Sequence, residues 1–340
     1  MNTSKILVIT GSYPPDVCGV GDYIANLTNS MSHQFEIFYS ANWSLISTIK
    51  KIKEINRYKL DRLNIQYPTQ GYKWSFVPLI LAIYYHVFTT KTIILTLHEF
   101  SQRTWRAKLY SLFLIAFSSN IVVTNQYEKE YILKILPAKI SKIVIIKIHS
   151  NIKASSFLRM YSDRSIHLTY FGQIRPNKGI EQFLECVKDL KWMDMNITIT
   201  GQIVPEYVEY FKKIEQLAHR YQINLYTNQP EKEVIEILNS TKIVYLPFPD
   251  GASERRGSLL AALANGTCVI STSGLFVTNE LYHTCIIIEP HQAHSIISSA
   301  LNSFNNDSFL RIQNKNKAFL QHEMPSNWEE IALAYTKIKS

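Results

Sequence analysis

The chain lacks the means for a covalent or metal scaffold. Its four cysteines, Cys18, Cys186, Cys268 and Cys285, form no Cys-x-x-Cys pair and no His/Cys ligand spacing. That excludes a disulfide framework and a zinc module, and it suits a reducing compartment, so a cytoplasmic protein is expected. Long apolar runs are missing as well. The run ILVIT (6–10) is short and feeds a turn, so no signal peptide is expected. Residues 74–90 carry no formal charge, but Pro78 and His86 interrupt them and a core helix is the reading, not a membrane span. No Asp-x-Asp pair occurs, so the usual carboxylate signature of a metal-held diphosphate is absent and no metal is expected. No G-x-G-x-x-G follows a strand, which argues against a dinucleotide-dependent dehydrogenase.

What is present is a folded composition, 46% hydrophobic and 19% charged over 340 residues, enough for two cores. The net charge of +9 is uneven: residues 1–150 hold 17 basic against 8 acidic side chains, whereas the remainder is balanced. A basic half beside a neutral half implies an anionic partner reached by the first half.

Short apolar runs recur at 6–10, 35–39, 92–97, 120–124 and 142–148, and again at 167–171, 196–200, 223–227, 242–247, 267–271 and 285–289. Helical patterns separate them, such as the stripe Val20, Ile24, Leu27, Met31. Buried strands alternating with helices imply α/β halves with parallel sheets and right-handed crossovers. The polar stretch 150–165 reads as the linker, and 327–338 as a separate amphipathic helix. Each half also opens on a strand, a glycine turn and a helix: KILVIT into GSYPPDVCGVGDYIANL, and HLTYF into GQIRPNKGIEQFL. Such a turn exposes backbone N–H groups and a positive helix end to a phosphate.

With TLHEF (96–100) and PFPDGASERRGSLLAALANGTCVISTSG (247–274), these segments resemble, in order, the landmarks of family-four retaining glycosyltransferases. The resemblance implies the GT-B fold: two Rossmann-like, doubly wound parallel-sheet domains facing across a cleft, with the C-terminal helix returning to the first. It places an acceptor domain at 1–155 with 325–340, and a donor domain at 156–324. It implies transfer of a sugar, of hexosyltransferase type, from a nucleotide-diphosphate sugar to a hydroxyl of a glycan acceptor, with retention of configuration. The nucleotide sugar is the donor substrate, and no cofactor is expected.

By the same resemblance His98, Lys178 and Glu254 are catalytic. Gly19, Arg175, Lys178, Glu254, Arg256, Ser258 and Leu259 bind donor, the last two through their amides. Asp16, Gly21 and Glu99 face the acceptor. The chain also departs from the family. Cys18 stands where a second glycine is usual, and Gln173 where an arginine often follows the strand, so Arg175 substitutes from two positions on. Of two glutamates eight residues apart, gap-free counting from Gly266 finds Ser253 and Ala261; a shift of one lets Glu254 take the first role, and nothing fills the second. A nucleotide-sugar epimerase of the same fold, or a non-catalytic nucleotide-sugar binder, are the alternatives.

The basic first half points to an anionic membrane surface and a polyprenyl-linked glycan acceptor, as in surface polysaccharide assembly. The enzyme is then peripheral to the inner face of the membrane. KKIKEINRYKLDR (50–62) puts Lys50, Lys53 and Arg57 on one helical face, and in RTWRAKLYSLFLIAF (103–117) Arg103 lies with Arg106 beside an apolar stripe of Trp105, Leu109 and Leu112. No nucleic-acid motif accompanies the charge, so nucleic acid is not expected as a partner.

Overall fold

The computed structural model describes residues 5–190 and 195–339. The chain divides into two compact units, Met1–Ile148 with Asn327–Ser340, and His149–Ser326. In the first, strands β1 (Ile6–Thr10), β2 (Phe35–Tyr39), β3 (Arg62–Tyr67), β4 (Thr92–Leu97), β5 (Asn120–Val123) and β6 (Ile143–Ile145) form one sheet in the order β2-β1-β3-β4-β5-β6. In the second, β7 (Ile166–Phe171), β8 (Ile197–Gly201), β9 (Asn224–Thr227), β10 (Thr241–Leu246), β11 (Cys268–Thr272) and β12 (Ile286–Ile288) pair in the order β12-β11-β10-β7-β8-β9. Every pairing between these strands is parallel, as buried β-branched runs separated by helices require. Each sheet has a switch point, between β1 and β3 in the first and between β7 and β10 in the second. There successive crossovers leave in opposite directions and open a crevice at the strands' carboxyl ends.

The first unit carries helices α1 (Gly19–Ser30), α2 (Thr48–Arg57), α3 (Val77–Phe88), α4 (Trp105–Ala116) and α5 (Gln126–Ile135). The second carries α6 (Ile180–Leu190), α7 (Val208–Arg220), α8 (Glu231–Asn239), α9 (Gly257–Ala264), α10 (Asn279–Thr284), α11 (Ala293–Ser303) and α12 (Asn306–Glu323). Helix α13 (Trp328–Thr336) returns to the first unit and packs on α1, burying Ile331, Ala332 and Tyr335. Arg62 fixes its end: Nη1 donates to the carbonyl of Thr336 at 3.1 Å, and Nη2 to those of Tyr335 at 2.9 Å and Ile338 at 2.8 Å. A buried guanidinium on the last carbonyls satisfies groups that a helix end otherwise leaves unpaired.

Two readings change here. The stretch 150–165 is no free tether. Arg164 in it is fully buried and donates to the carbonyls of Arg159, Leu238, Thr241 and Asn265, which binds the segment into the second unit. And one strand was absent from the sequence reading. β3 escapes because Arg62, Asn64 and Gln66 alternate with its apolar residues, yet all three are buried. Residues 77–88 are a helix as expected, half in the core through Val77, Leu81 and Tyr85, with Phe88 exposed. No helix among the described residues is long and apolar enough to cross a membrane.

Candidate active site

The first-unit residues of interest lie in loops at the carboxyl edge of β1 and β4. Gly19 opens α1, and a Cβ there would meet nothing within 4 Å. Neither packing nor φ demands glycine; its bareness leaves room before a helix N-terminus that no side chain caps. Gly21 is buried instead, its missing Cβ 3.4 Å from the carbonyl of Ser12, so it serves the contact of α1 with the preceding loop. Asp16 is exposed and accepts from Tyr39 Oη at 3.0 Å, which ties the loop to the end of β2.

His98 follows β4 and extends its ladder, its N–H donating to the carbonyl of Tyr67 at 2.9 Å. Its Nε2 stands 2.7 Å from Gln66 Oε1, and the edge of Tyr23, from α1, meets the ring at 5.1 Å between centroids. So α1 brings the two loops together. Burial disfavours the imidazolium and pulls the His98 pKa from 6.5 down to about 4, which keeps the ring neutral. Glu99 beside it is exposed. The loop beyond is held by buried Glu128, which accepts from Ser101 N at 2.9 Å and Ser101 Oγ at 2.8 Å. Gln66 and Glu128 drew no attention from the sequence, since neither lies in a recognisable segment.

In the second unit, Arg175 and Lys178 lie in the loop after β7, and Glu254 and Arg256 in the segment after β10. These are adjacent strands flanking the switch point. Asn177 and Gly179 both have positive φ, 61° and 85°. Gly179 has no alternative, because a Cβ would stand 2.0 Å from the carbonyl oxygen of Pro247. That close approach seats the lysine loop on the 247–256 segment. Tyr170, buried in β7, donates to the Lys178 carbonyl at 2.9 Å and fixes the loop from beneath. Arg175 Nε is 3.3 Å from Gln173 Oε1.

Ser253 and Glu254 are both buried. Ser253 is occupied in the turn, its Oγ accepting from Arg255 N at 3.3 Å and its carbonyl from Arg256 N at 3.0 Å. Arg256 pairs with Asp250 and lies over the Phe248 ring at 4.9 Å, while Arg255 lies over Phe276 at 4.2 Å. Both cations therefore have aromatic seats at the mouth of α9. Leu260 N is the first amide to find its helical acceptor, Arg256 O at 3.0 Å, so those of Ser258 and Leu259 point ahead of the helix. At Gly257, too, a Cβ would meet nothing within 4 Å. Ala261, where the family's second glutamate is expected, is fully buried in α9.

Elsewhere on the first unit, Lys50, Lys53 and Arg57 are exposed along α2. Two of the six basic residues of 50–62 are not: Arg62 holds α13, and Lys51 is buried, donating to Ser40 Oγ at 2.6 Å over the Trp43 ring. The exposed apolar row of α4 is Trp105, Leu109 and Phe113; Leu112 turns toward the core, and Arg103 lies over Tyr67, apart from Arg106.

Residues 161–319 match the family model described as "Glycosyl transferases group 1". No curated protein matches the chain. Solved structures similar to it over nearly their whole length include Anabaena HepE in complex with UDP and glucose. That structure has 12% identity, covers 98% of each chain and gives a TM-score of 0.72. The sucrose-phosphate synthase of Thermosynechococcus elongatus has 14% identity, 98% coverage of each chain and a TM-score of 0.71. WaaG, a glycosyltransferase involved in lipopolysaccharide biosynthesis, has 12% identity, 98% coverage of each chain and a TM-score of 0.66. At such identity the likeness establishes the fold.

Proposed function

We propose, for a chain that belongs through residues 161–319 to the group 1 glycosyl transferases and has the two-sheet GT-B fold, that it transfers a sugar from a nucleotide-diphosphate sugar to a hydroxyl, with retention. One observation carries the donor half of this reading. Lys178, Glu254 and the leading amides of α9 share the carboxyl edge of the second sheet beside its switch point, and Gly179 locks the lysine loop against the 247–256 segment. Breaking a sugar–phosphate bond builds charge on the departing diphosphate. An ammonium on an anchored loop, Arg175 and aligned amides stabilise that charge without a metal. Glu254 then binds sugar hydroxyls. On the first unit, His98 meets the reacting sugar as a neutral ring, and the Asp16–Gly21 turn with Glu99 receives the acceptor. Front-face attack assisted by the leaving phosphate is the mechanism adopted.

The acceptor reading is a lipid-linked glycan at an anionic membrane. Its support is a set of exposed apolar side chains on the first unit: Ile46 is 96%, Trp74 76% and Trp105 70% exposed. Their elements are fastened together, as Ser75 Oγ donates to the carbonyl of Trp43 and Tyr110 Oη of α4 to that of Ser75 at 3.1 Å. Large exposed apolar side chains close in sequence to the exposed Lys50, Lys53, Lys73 and Arg106 suit a headgroup interface.

The reaction is tested with a panel of UDP-, GDP-, ADP- and dTDP-sugars, with and without polyprenyl-linked glycan, scoring nucleotide release and product anomer. Release dependent on acceptor, with retained configuration, is expected. Conversion of donor without acceptor would make the protein an epimerase. Binding without turnover would make it a nucleotide-sugar binder, and neither release nor binding would overturn the donor-site placement.

A further inference from the structure

Arg103, in the loop that follows β4, is anchored in its place but has no partner for its charge. The backbone is held: Arg103 N donates to the carbonyl of the fully buried Phe100 at 3.2 Å, and Glu128 clamps Ser101. The side chain lies over the Tyr67 ring, with the guanidinium carbon 5.4 Å from its centroid. That ring packs in turn on Tyr72, stacked at 6.3 Å, and on Tyr110 at 5.2 Å. The hydroxyls of both neighbours are spent, Tyr72 Oη on the carbonyl of Ile9 at 3.0 Å and Tyr110 Oη on that of Ser75 at 3.1 Å. The guanidinium has no such outlet. Its Nε is buried without a hydrogen-bond partner, and no described residue hydrogen-bonds or ion-pairs with either Nη. Tyr67 is only 7% exposed, yet its Oη also hydrogen-bonds to no described residue. The first turn of α4, directly after, contains no acidic residue. Buried guanidinium groups are ordinarily satisfied within the fold, as Arg62 and Arg164 are by main-chain carbonyls. Arg103 keeps its donors for something else.

We propose that Arg103, with the Tyr67 hydroxyl, is an anion subsite for the acceptor, binding a phosphate or carboxylate that the acceptor carries near its reacting hydroxyl. The proposal rests on the reading of the first unit as the acceptor side. Its geometry comes from the strand. Successive side chains of β3 leave by opposite faces, so Gln66, which meets His98 Nε2, and Tyr67, which carries Arg103, flank the same strand end. The Tyr67 carbonyl also accepts from His98 N at 2.9 Å, which ties the two positions together. An acceptor laid across this carboxyl edge reaches both, its hydroxyl beside His98 and its charge beside Arg103. A guanidinium fork matches two oxygens of one oxyanion, whether the phosphate of a lipid carrier or the carboxylate of an acidic sugar. Neutral acceptors leave the cation unpaired and are discriminated against.

The test is calorimetric titration of the full chain with two matched pairs of probes: farnesyl diphosphate against farnesol, and methyl glucuronide against methyl glucoside. The titrations are repeated in Lys178→Ala, which removes the diphosphate site proposed on the second unit. One charged probe at least should bind about tenfold or more tighter than its neutral counterpart in both backgrounds. Arg103→Gln should erase that margin, and Arg103→Lys should restore only part of it, since an ammonium keeps the charge but not the fork. Lys134→Gln, an exposed cation of α5, should leave it unchanged. Preference for the diphosphate alone identifies a lipid-borne phosphate, and preference for the glucuronide alone an acidic sugar. Because the cation has no partner in the fold, Arg103→Gln should not lower the unfolding midpoint. A lowered midpoint with unchanged affinity would make Arg103 structural and overturn the proposal. So would equal binding of charged and neutral probes, no binding of either charged probe, or a margin that survives Arg103→Gln. Should Arg103→Gln fail to fold, Arg103→Lys and the contrast in the unmodified chain decide. Binding needs no turnover, so a chain that transfers no sugar yet keeps the Arg103-dependent margin refutes the transfer reading and leaves the subsite standing. Transfer to neutral acceptors with no such margin does the reverse.

Discussion

A lysine whose loop is fixed from beneath by Tyr170 and from the side by Pro247 is preorganised before any ligand arrives. Lys178→Ala should therefore lower kcat about a hundredfold or more, the usual cost of removing a fixed group that stabilises developing charge. Measured turnover near that of the unmodified protein would place the diphosphate elsewhere. Glu254→Gln should raise the KM for the nucleotide sugar more than that for free nucleotide diphosphate; a silent substitution would return the role to Ser253. Protonation behaves just as locally. His98 has its pKa lowered from 6.5 to about 4, so the imidazolium form favours the unfolded chain. The stability tied to its neutral form is present above 6.5 and lost as pH falls toward 4, about 2 kcal/mol after allowance for the accessible part of the ring. Asp22, in the first turn of α1, runs the opposite way. Burial raises it from 3.8 to about 6, so its contribution is present at low pH and lost as pH rises through that window. The two oppose each other in the first unit. Urea unfolding across the window should show His98→Gln flattening the gain with rising pH and Asp22→Asn steepening it; identical profiles for both variants would contradict the assignment.

At the scale of elements, α13 depends on a residue far from it in sequence. Arg62 supplies three hydrogen bonds to its last carbonyls, and burial already lowers the guanidinium's pKa, a sign of how little water shares the work. Arg62→Met would leave those carbonyls buried and unpaired. A loss of about 2–4 kcal/mol is expected, together with faster amide exchange through 328–336. Hydrogen exchange read by mass spectrometry checks it; unchanged exchange in α13 would mean that packing on α1 alone holds the helix. If α13 loosens, Tyr335 leaves Thr96, so the disturbance should reach His98 as well.

At the scale of the whole molecule, the two units are expected to answer to different ligands. A nucleotide diphosphate should protect amides at 172–180 and 251–260 and stabilise the chain in proportion to ligand concentration over Kd. The basic first unit should answer to lipid. Each cation near an anionic leaflet contributes about 1 kcal/mol, screened by salt. Co-sedimentation with phosphatidylglycerol vesicles should then fall with added salt and with Lys50, Lys53 and Arg57 changed to Ser, whereas Trp74→Ser and Trp105→Ser should weaken the salt-resistant part. Equal partition to neutral and anionic vesicles, or none to either, would leave a soluble acceptor as the better reading.

The sequence by itself determined the repeated strand–turn–helix plan, because apolar period and glycine turns are local properties of the chain. It also marked Lys178, His98 and the 247–274 segment, whose residue types cluster in order along the chain. Tertiary structure alone decided what lies at a distance in sequence. Strand β3 was hidden because polar residues in an alternating run look like surface until a partner is found for them, and their partners come from β4 and α13. Arg164 read as linker for the same reason, since four carbonyls from separate segments make its burial tolerable. Local pattern reports which side chains leave water. Only the fold supplies the hydrogen-bond partners that let a polar one do so.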